Sequence, residues 1–353
     1  MNVIERLARP EILALEPYAH ASWDPSLERL HANENPWRFA GDPSSTGLNR
    51  YPEPHPRVLE ARLATLYGVR TDQVLAGRGS DEGIDLLTRA FLAAGRDAAL
   101  ICPPTFGMYA VATRIQGATV VEVPLCTAAG FALDEEAVLA ALSPAVRLVF
   151  VCTPGNPTGA SLDPRAIERI LVRTANSAIV VVDEAYAEFA ASPSFAGRLD
   201  EFPNLVVLRT LSKAYALAGA RIGTVIGSPA LIDLLRRIVP PYAVATPASD
   251  AALAALAPAA LAEAERRIDT LKAERARLAA GLAALPLVTR VWPSDANFLL
   301  IGARDPAELV RRARAAGLLL RDFSHSRWTP GCIRISVGSP QQNDRLLTGL
   351  ANR

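Results

Sequence analysis

The stretch Leu208-Arg-Thr-Leu-Ser-Lys-Ala-Tyr-Ala-Leu-Ala-Gly-Ala-Arg-Ile-Gly223 organises the reading of this chain. An apolar run, Leu205 to Leu208, reads as a buried strand that breaks into hydroxylated Thr210 and Ser212, followed at once by Lys213. Arg221 stands eight residues further on, near glycines at 219 and 223. The chain has only two lysines, Lys213 and Lys272, among 37 basic residues, so arginine meets almost all of its need for positive charge. Arginine cannot lose its proton near neutral pH, whereas a lysine in an apolar setting can. A lysine kept in this small-residue setting therefore points to an amine that deprotonates, as one that forms an imine with a carbonyl compound must. A surface lysine at a helix start is the alternative.

Outward from this stretch, short apolar strands alternate with helices. Strands are predicted at Gln73–Ala76, Ala98–Cys102, Thr119–Val123, Val146–Val151, Ala178–Val182 and Leu205–Leu208. Helices are predicted at Leu59–Tyr67, from the Gly77–Gly83 turn to about Ala93, after Pro103–Tyr109, and at Asp134–Leu142 and Pro164–Arg173. This alternation predicts an α/β fold with a mostly parallel sheet covered by helices on both faces. Ligands of such sheets sit beyond the carboxyl ends of the strands. Past Pro247 an alanine-rich helical region, Ser249 to Leu285 with a break at Pro258, leads to strands at Asn297–Ile301, Leu318–Arg321 and Cys332–Val337. Helices Pro306–Ala316 and one from Pro340 complete a smaller α+β domain. The expected division is an N-terminal arm over 1–40, a large domain over 41–247 and a small domain over 248–353. Three prolines within Tyr51–Pro56 make that segment rigid and extended, because each fixes φ and removes a donor.

Composition removes whole classes of function. With 353 residues, half of them hydrophobic, the chain suffices for about two domains with a substantial core. A net charge of +1, from 37 basic and 36 acidic side chains, argues against nucleic-acid and polybasic membrane binding. Charges interrupt the N-terminus where an export signal places its apolar core, and no run approaches a membrane span. Cys102, Cys126, Cys152 and Cys332 have neither CxxC spacing nor a histidine cluster nearby, so buried thiols in a reducing cytoplasm are expected and no metal.

Four further candidates stand where a predicted strand gives way to a loop or helix. Gly79-Ser80-Asp81 heads a helix, whose backbone N–H groups and dipole suit a phosphate; capping by Ser80 or Asp81 is the alternative. Phe106, after two prolines, suits stacking on a planar ring, although core packing is the commoner role of an aromatic. Asn156, in Cys152-Thr-Pro-Gly-Asn-Pro-Thr-Gly159, presents a side-chain amide or serves only the turn. Asp183 ends a five-residue apolar run and is followed by Glu184 and Tyr186; a carboxylate buried there needs a cationic partner.

A phosphate cradle, a ring platform, hydrogen-bond donors, a carboxylate and a lysine are together what holds pyridoxal 5′-phosphate. The set resembles the fold-type I, aspartate aminotransferase-like enzymes, and within them the histidinol-phosphate aminotransferases. The resemblance runs through Tyr51-Pro-Glu-Pro54, Arg78-Gly-Ser-Asp-Glu-Gly83, Pro103-Pro-Thr-Phe-Gly-Met-Tyr109, Gly155-Asn-Pro-Thr-Gly159, Val182-Asp-Glu-Ala-Tyr186, Leu208-Arg-Thr-Leu-Ser-Lys213 and Cys332-Ile-Arg-Ile-Ser-Val-Gly338.

The resemblance implies transamination of histidinol phosphate with 2-oxoglutarate. By it, Lys213 carries the cofactor and later moves the reacting proton, Asp183 pairs with the pyridine nitrogen, and Asn156 and Tyr186 bond the phenolic oxygen. Phe106 stacks on the ring, while Ser80, Asp81, Thr210, Ser212 and Arg221 bind the cofactor phosphate. Tyr51 reaches the phosphate site of a neighbouring subunit, which implies a homodimer with shared sites, and the arm joins the small domain and the dimer contact. Tyr18, Asn33, Arg321 and Arg334 fall to the substrate; two arginines and a phenol suit a dianion. Pairing of Arg321 with Asp322 or another acid is the alternative. His31 replaces the subgroup's usual asparagine, and the loop Ser324–Pro330 has no counterpart. An aromatic aminotransferase, a threonine-phosphate decarboxylase and a degenerate regulatory protein are the competing readings.

Overall fold

Four consecutive apolar β-branched residues ahead of an aspartate, as in Ile179-Val-Val-Val-Asp183, give a strand that must be covered on both faces, and every residue of this one is buried. The computed structural model describes residues 2–20, 24 and 26–351, and in it seven strands form one sheet. They are β1 (Val74–Gly77), β2 (Ala98–Ile101), β3 (Thr119–Glu122), β4 (Val146–Cys152), β5 (Ile179–Asp183), β6 (Leu205–Thr210) and β7 (Gly223–Ile226), in the order β1-β7-β6-β5-β4-β2-β3. Strands β2 to β6 pair in parallel, whereas β7 runs antiparallel to both β1 and β6.

Alternation along the strands assigns side chains to the two faces. Leu148 and Phe150 of β4, Ile179 and Val181 of β5 and Leu208 of β6 join one core cluster with Leu87 and Phe91 of helix Ser80–Phe91. Val149, Val151, Val180 and Val182 join the other, with Ile167, Ile170 and Leu171 of helix Pro164–Thr174. Full burial of each such side chain is worth about 1.5–3 kcal/mol, so these two layers fix where the strand ends lie. Asp183 follows Ile179 and Val181 by this parity, and its carboxylate emerges on the face carrying Phe150 and the helix Met108–Ile115.

A four-stranded antiparallel sheet follows in the order β10-β11-β9-β8, from β8 (Val288–Val291), β9 (Phe298–Ala303), β10 (Arg321–Asp322) and β11 (Cys332–Ser336). The 26-residue helix Pro258–Ala283 connects the two parts, and its Leu278 and Leu282 pack with Leu299, Ile301, Ile333 and Ile335. At the N-terminus, Asn2 and Glu5 form a capping box on helix Val3–Leu7. The apolar side of that helix lies in the core cluster of the seven-stranded sheet, alongside Leu231 and Leu235. Of the expected arm, residues 1, 21–23 and 25 lie outside the described residues, as do 352 and 353 of the expected small domain.

The structure adds one strand and shortens another. The stretch 208–223 leaves β6, loops, and returns as β7, a strand not anticipated from the sequence, with Thr210 opposite Gly223. The strand expected at Leu318–Arg321 shrinks to Arg321–Asp322, and Leu319 is largely exposed, because β10 lies at the sheet edge with only β11 to pair with.

Candidate active site

The carboxyl ends of β4, β5 and β6, the start of helix Ser80–Phe91 and the β10–β11 hairpin enclose one cavity of about 640 Å³. Ser80, Asp81, Phe106, Asn156, Asp183, Tyr186, Thr210, Ser212, Lys213, Arg221, Arg321 and Arg334 all line it. Asp183 ends β5 opposite Leu208 of β6 and Cys152 of β4, so loops leaving three neighbouring strands meet at one place.

One end of the cavity is an anion cradle. Helix Ser80–Phe91 begins after Gly79, at φ +81°, with no side chain capping its free N–H groups, so neither Ser80 nor Asp81 acts as a cap. Uncapped N–H groups and the helix dipole favour a negative charge. Arg221 donates to Asp81 Oδ2 at 3.2 Å and to Ser212 Oγ at 3.3 Å, and the hydroxyls of Thr210 and Ser212 lie 3.0 Å apart. The close approach depends on two glycines. A Cβ on Gly223 would stand 2.1 Å from the carbonyl carbon of Gly79, and one on Gly79 would stand 2.5 Å from an Arg221 nitrogen.

The same cavity holds a buried carboxylate. Asp183, 3% exposed, accepts from the Tyr109 hydroxyl at 2.6 Å and from the Ala185 N–H at 3.1 Å. Among the described residues no basic side chain pairs with it. Burial pushes its carboxyl up to about 6, against the pull of those two hydrogen bonds, and the charges of Asp81 and Glu184 push the same way. Tyr109 is itself fully buried and stacked on Phe150, with ring centroids 4.7 Å apart.

Lys213 lines the same cavity, with its Nζ 5.8 Å from the centre of the Tyr186 ring. Partial burial lowers its amine below the usual lysine range, and the positive charges of Arg334 and Arg221 add to this. Tyr186 accepts from the Asn156 amide at 3.3 Å, and Asn156 in turn accepts from Arg334 through its own carbonyl oxygen. Arg334 is further held over Phe298, 5.1 Å from the ring centre. Asn156 is thus no mere turn former; it ties the phenol of β5's loop to the guanidinium of β11.

Arg321 faces Arg334 directly across the β10–β11 pair. It does not pair with Asp322, whose carboxylate accepts from the Ser324 N–H. Three expected residues lie away from the cavity of their own chain. Tyr51 is half exposed and stacked on Tyr242 at 4.8 Å, Tyr18 is 68% exposed beside His20, and Asn33 is exposed with φ +57°. Conversely, Thr105, Met108, Cys152 and Phe323 line the cavity unanticipated, and Tyr109 bonds its carboxylate from beneath. The spacing of Tyr109 three residues after Phe106, near the start of one helix, was the available signal.

The aminotransferase class I and II family profile matches residues 30–350. A Stenotrophomonas maltophilia protein named histidinol-phosphate aminotransferase is 46% identical over 98% of this chain and 96% of its own length. A protein of that name from Xanthomonas campestris is 45% identical over 98% and 97%. Among solved structures, a histidinol-phosphate aminotransferase from Clostridium acetobutylicum superposes with TM-score 0.77 at 21% identity, over 86% of this chain and 90% of that one. One from Sinorhizobium meliloti, in complex with pyridoxal 5′-phosphate, superposes with TM-score 0.73 at 26% identity, over 86% and 82%.

Proposed function

Because the chain belongs to the aminotransferase class I and II family, we infer that it is a pyridoxal 5′-phosphate-dependent histidinol-phosphate aminotransferase. It transfers the amino group of L-histidinol phosphate to 2-oxoglutarate, giving imidazole-acetol phosphate and glutamate. The observation that carries the substrate choice is the Arg321–Arg334 pair: two guanidiniums side by side at the cavity, with no carboxylate paired to Arg321 among the described residues. A phosphate ester answers both charges, whereas a lone carboxylate needs one.

The cavity fits the cofactor on its own chemistry. A buried carboxylate without a paired cation among the described residues, an uncapped helix start beside an arginine, and an amine in the same cavity match a pyridinium, a phosphate and an aldehyde respectively. When bound, the cofactor supplies a carbonyl for the amine and a protonated ring that withdraws electrons from the substrate carbon. Asp183 holds the ring-nitrogen proton, and Asn156 and Tyr186 hold the phenolic oxygen. Phe106 packs against the ring; the N–H groups of Ser80 and Asp81, with Thr210, Ser212 and Arg221, bind the phosphate. Lys213, its amine already lowered by burial, would take the proton from the amine-bearing carbon of the substrate and pass it to the cofactor carbon that receives the amino group, so that the substrate carbon leaves as a ketone.

A homodimer completes this reading. Tyr51 serves the site of a second copy, and Leu30, Trp37, Phe39 and Val58 on the surrounding segment expose apolar surface that the contact would cover. Tyr18 and Asn33 approach the substrate from the arm. The division at 40 and 247 and a cytoplasmic location, in keeping with four unpaired cysteines, belong to the same proposal.

The test is the absorbance of the purified holoenzyme in single half-reactions. Histidinol phosphate, followed by 2-oxoglutarate, should convert the bound cofactor to its amino form and back. Conversion by phenylalanine or tyrosine but not by histidinol phosphate would make this an aromatic aminotransferase. Carbon dioxide release without keto-acid formation would make it a decarboxylase. Sedimentation velocity reads the dimer.

A further inference from the structure

We propose that Phe323 is the residue that positions Arg321, joining it with Arg334 into one two-armed receptor and thereby setting preference for a phosphate ester over a carboxylate; this rests on the substrate reading above. Phe323 follows β10 immediately and lines the cavity between the two arginines. The Arg321 guanidinium carbon stands 5.6 Å from the centre of its ring and that of Arg334 stands 5.5 Å from the same centre. One ring therefore faces two cations, each within the range of an attractive contact with the ring's negative face.

The arrangement answers an electrostatic problem. Residues directly opposite in an antiparallel pair present side chains on the same side, and like charges there repel. The positive charge of Arg321 is felt at Arg334, lowering its guanidinium together with burial. The ring offsets part of that repulsion before any anion arrives. Its own backbone is fixed: the Phe323 N–H donates to the Cys332 carbonyl at 3.0 Å, and its carbonyl accepts from the Ser326 N–H at 2.9 Å.

The two arginines depend on the ring unequally. Arg334 keeps Asn156 and Phe298 whatever happens at position 323. Arg321 has the Phe323 ring and, among the described residues, no acidic partner. Loss of the ring thus releases the arm that only a phosphate ester uses. By the family resemblance Arg334 serves a substrate α-carboxylate, so tight binding of glutamate should survive.

The experiment compares Phe323→Ala, Phe323→Leu and Phe323→Tyr holoenzymes with wild type in separate half-reactions with histidinol phosphate and glutamate. Phe323→Ala and Phe323→Leu should raise the KM for histidinol phosphate about tenfold with kcat little changed and the glutamate KM within about twofold. Phe323→Tyr should restore wild-type selectivity. Equal changes for both substrates, unchanged selectivity in Phe323→Ala, or full rescue by leucine would overturn the proposal, because each would reduce the ring to packing. A wild-type enzyme that fails to take the phosphate ester sinks the substrate reading and this inference together. A wild type that takes it, with a selective Phe323→Ala variant absent, sinks the inference alone.

Discussion

The hydroxyl of Tyr109 donates to Asp183 Oδ2 across 2.6 Å, joining two side chains 74 positions apart in the sequence, neither more than 3% exposed. Only the neighbouring order of β5, β4 and β2 brings helix Met108–Ile115 under the end of β5. Hydrogen bonds to a carboxylate favour its ionised form. This one works against the burial that pushes Asp183 up to about 6.

Tyr109→Phe therefore raises Asp183 further and depletes its anion at neutral pH. A hydrogen bond to a charged group is worth roughly 1.5–3 kcal/mol, which is about one to two pK units, so the ionised fraction and with it kcat/KM at pH 7 should fall about 2- to 15-fold. The loss should shrink toward pH 9, where the carboxyl ionises regardless. A pH profile parallel to that of wild type would show that the bond does not tune Asp183.

The same carboxylate makes a stability prediction for the protein stripped of its cofactor. Its folded value, about 6, lies above the ordinary 3.8, so the folded state holds the proton more tightly. The associated stability is full below pH 3.8 and is lost as pH rises through about 6. At pH 8 the cost amounts to about 3 kcal/mol. Asp183→Asn should then be more stable than wild type at pH 8 in urea unfolding, with the advantage closing near pH 4, while being nearly inactive.

Gly223→Ala attacks the cradle without touching a charged group. Its Cβ would fall 2.2 Å from the Ser80 nitrogen, so β7 and the helix start must part. Overpacking of this kind costs about 1–3 kcal/mol. Thermal unfolding should show that loss, and equilibrium dialysis should show weaker retention of the cofactor. Gly219→Ala, where a Cβ meets nothing, is the control.

Arg209 offers the contrasting case of a buried charge behind the site. It donates to Glu184 at 3.0 Å and to Glu188 at 2.7 Å, with its guanidinium 4.8 Å over the Tyr67 ring. Removing one member of a buried ion network leaves the others unpaired, at about 3–5 kcal/mol. Arg209→Met should lose that much in chemical denaturation. It should also loosen the cofactor, since Arg209 lies next to Thr210 and Glu184 next to Asp183.

How much of this was legible in the sequence follows from what each inference needed. The parallel strands announce themselves as buried apolar runs, and Lys213, Asp183 and Asn156 stand at their ends, so local pattern sufficed. β7 escaped because Gly223–Ile226 is four residues long and follows a small-residue loop that carries no strand periodicity. Tyr109 and Phe323 escaped because their partners are set by sheet order and by hairpin register, which no window of sequence contains. Tyr51, Tyr18 and Asn33 are intelligible from a family resemblance alone; within one chain nothing brings them to the cavity.

Arg321 and Arg334 should separate cleanly by substitution. Arg334 meets Asn156, Phe298 and Phe323 and stands beside the Tyr186 phenol, and on the proposed reading it serves both halves of the reaction. Arg321 is exposed at the sheet edge and lines the same cavity. Arg321→Gln should raise the KM for histidinol phosphate about 10- to 100-fold, the worth of one charge-assisted contact, and leave glutamate nearly untouched. Arg334→Gln should impair both substrates to a comparable degree. It should also raise the Lys213 amine, because one of the two positive charges that lower it is gone. Separate half-reaction constants for the two substrates decide the matter: if Arg321→Gln damages glutamate as severely as histidinol phosphate, the two arginines are not divided by substrate, and the phosphate reading of the pair fails with them.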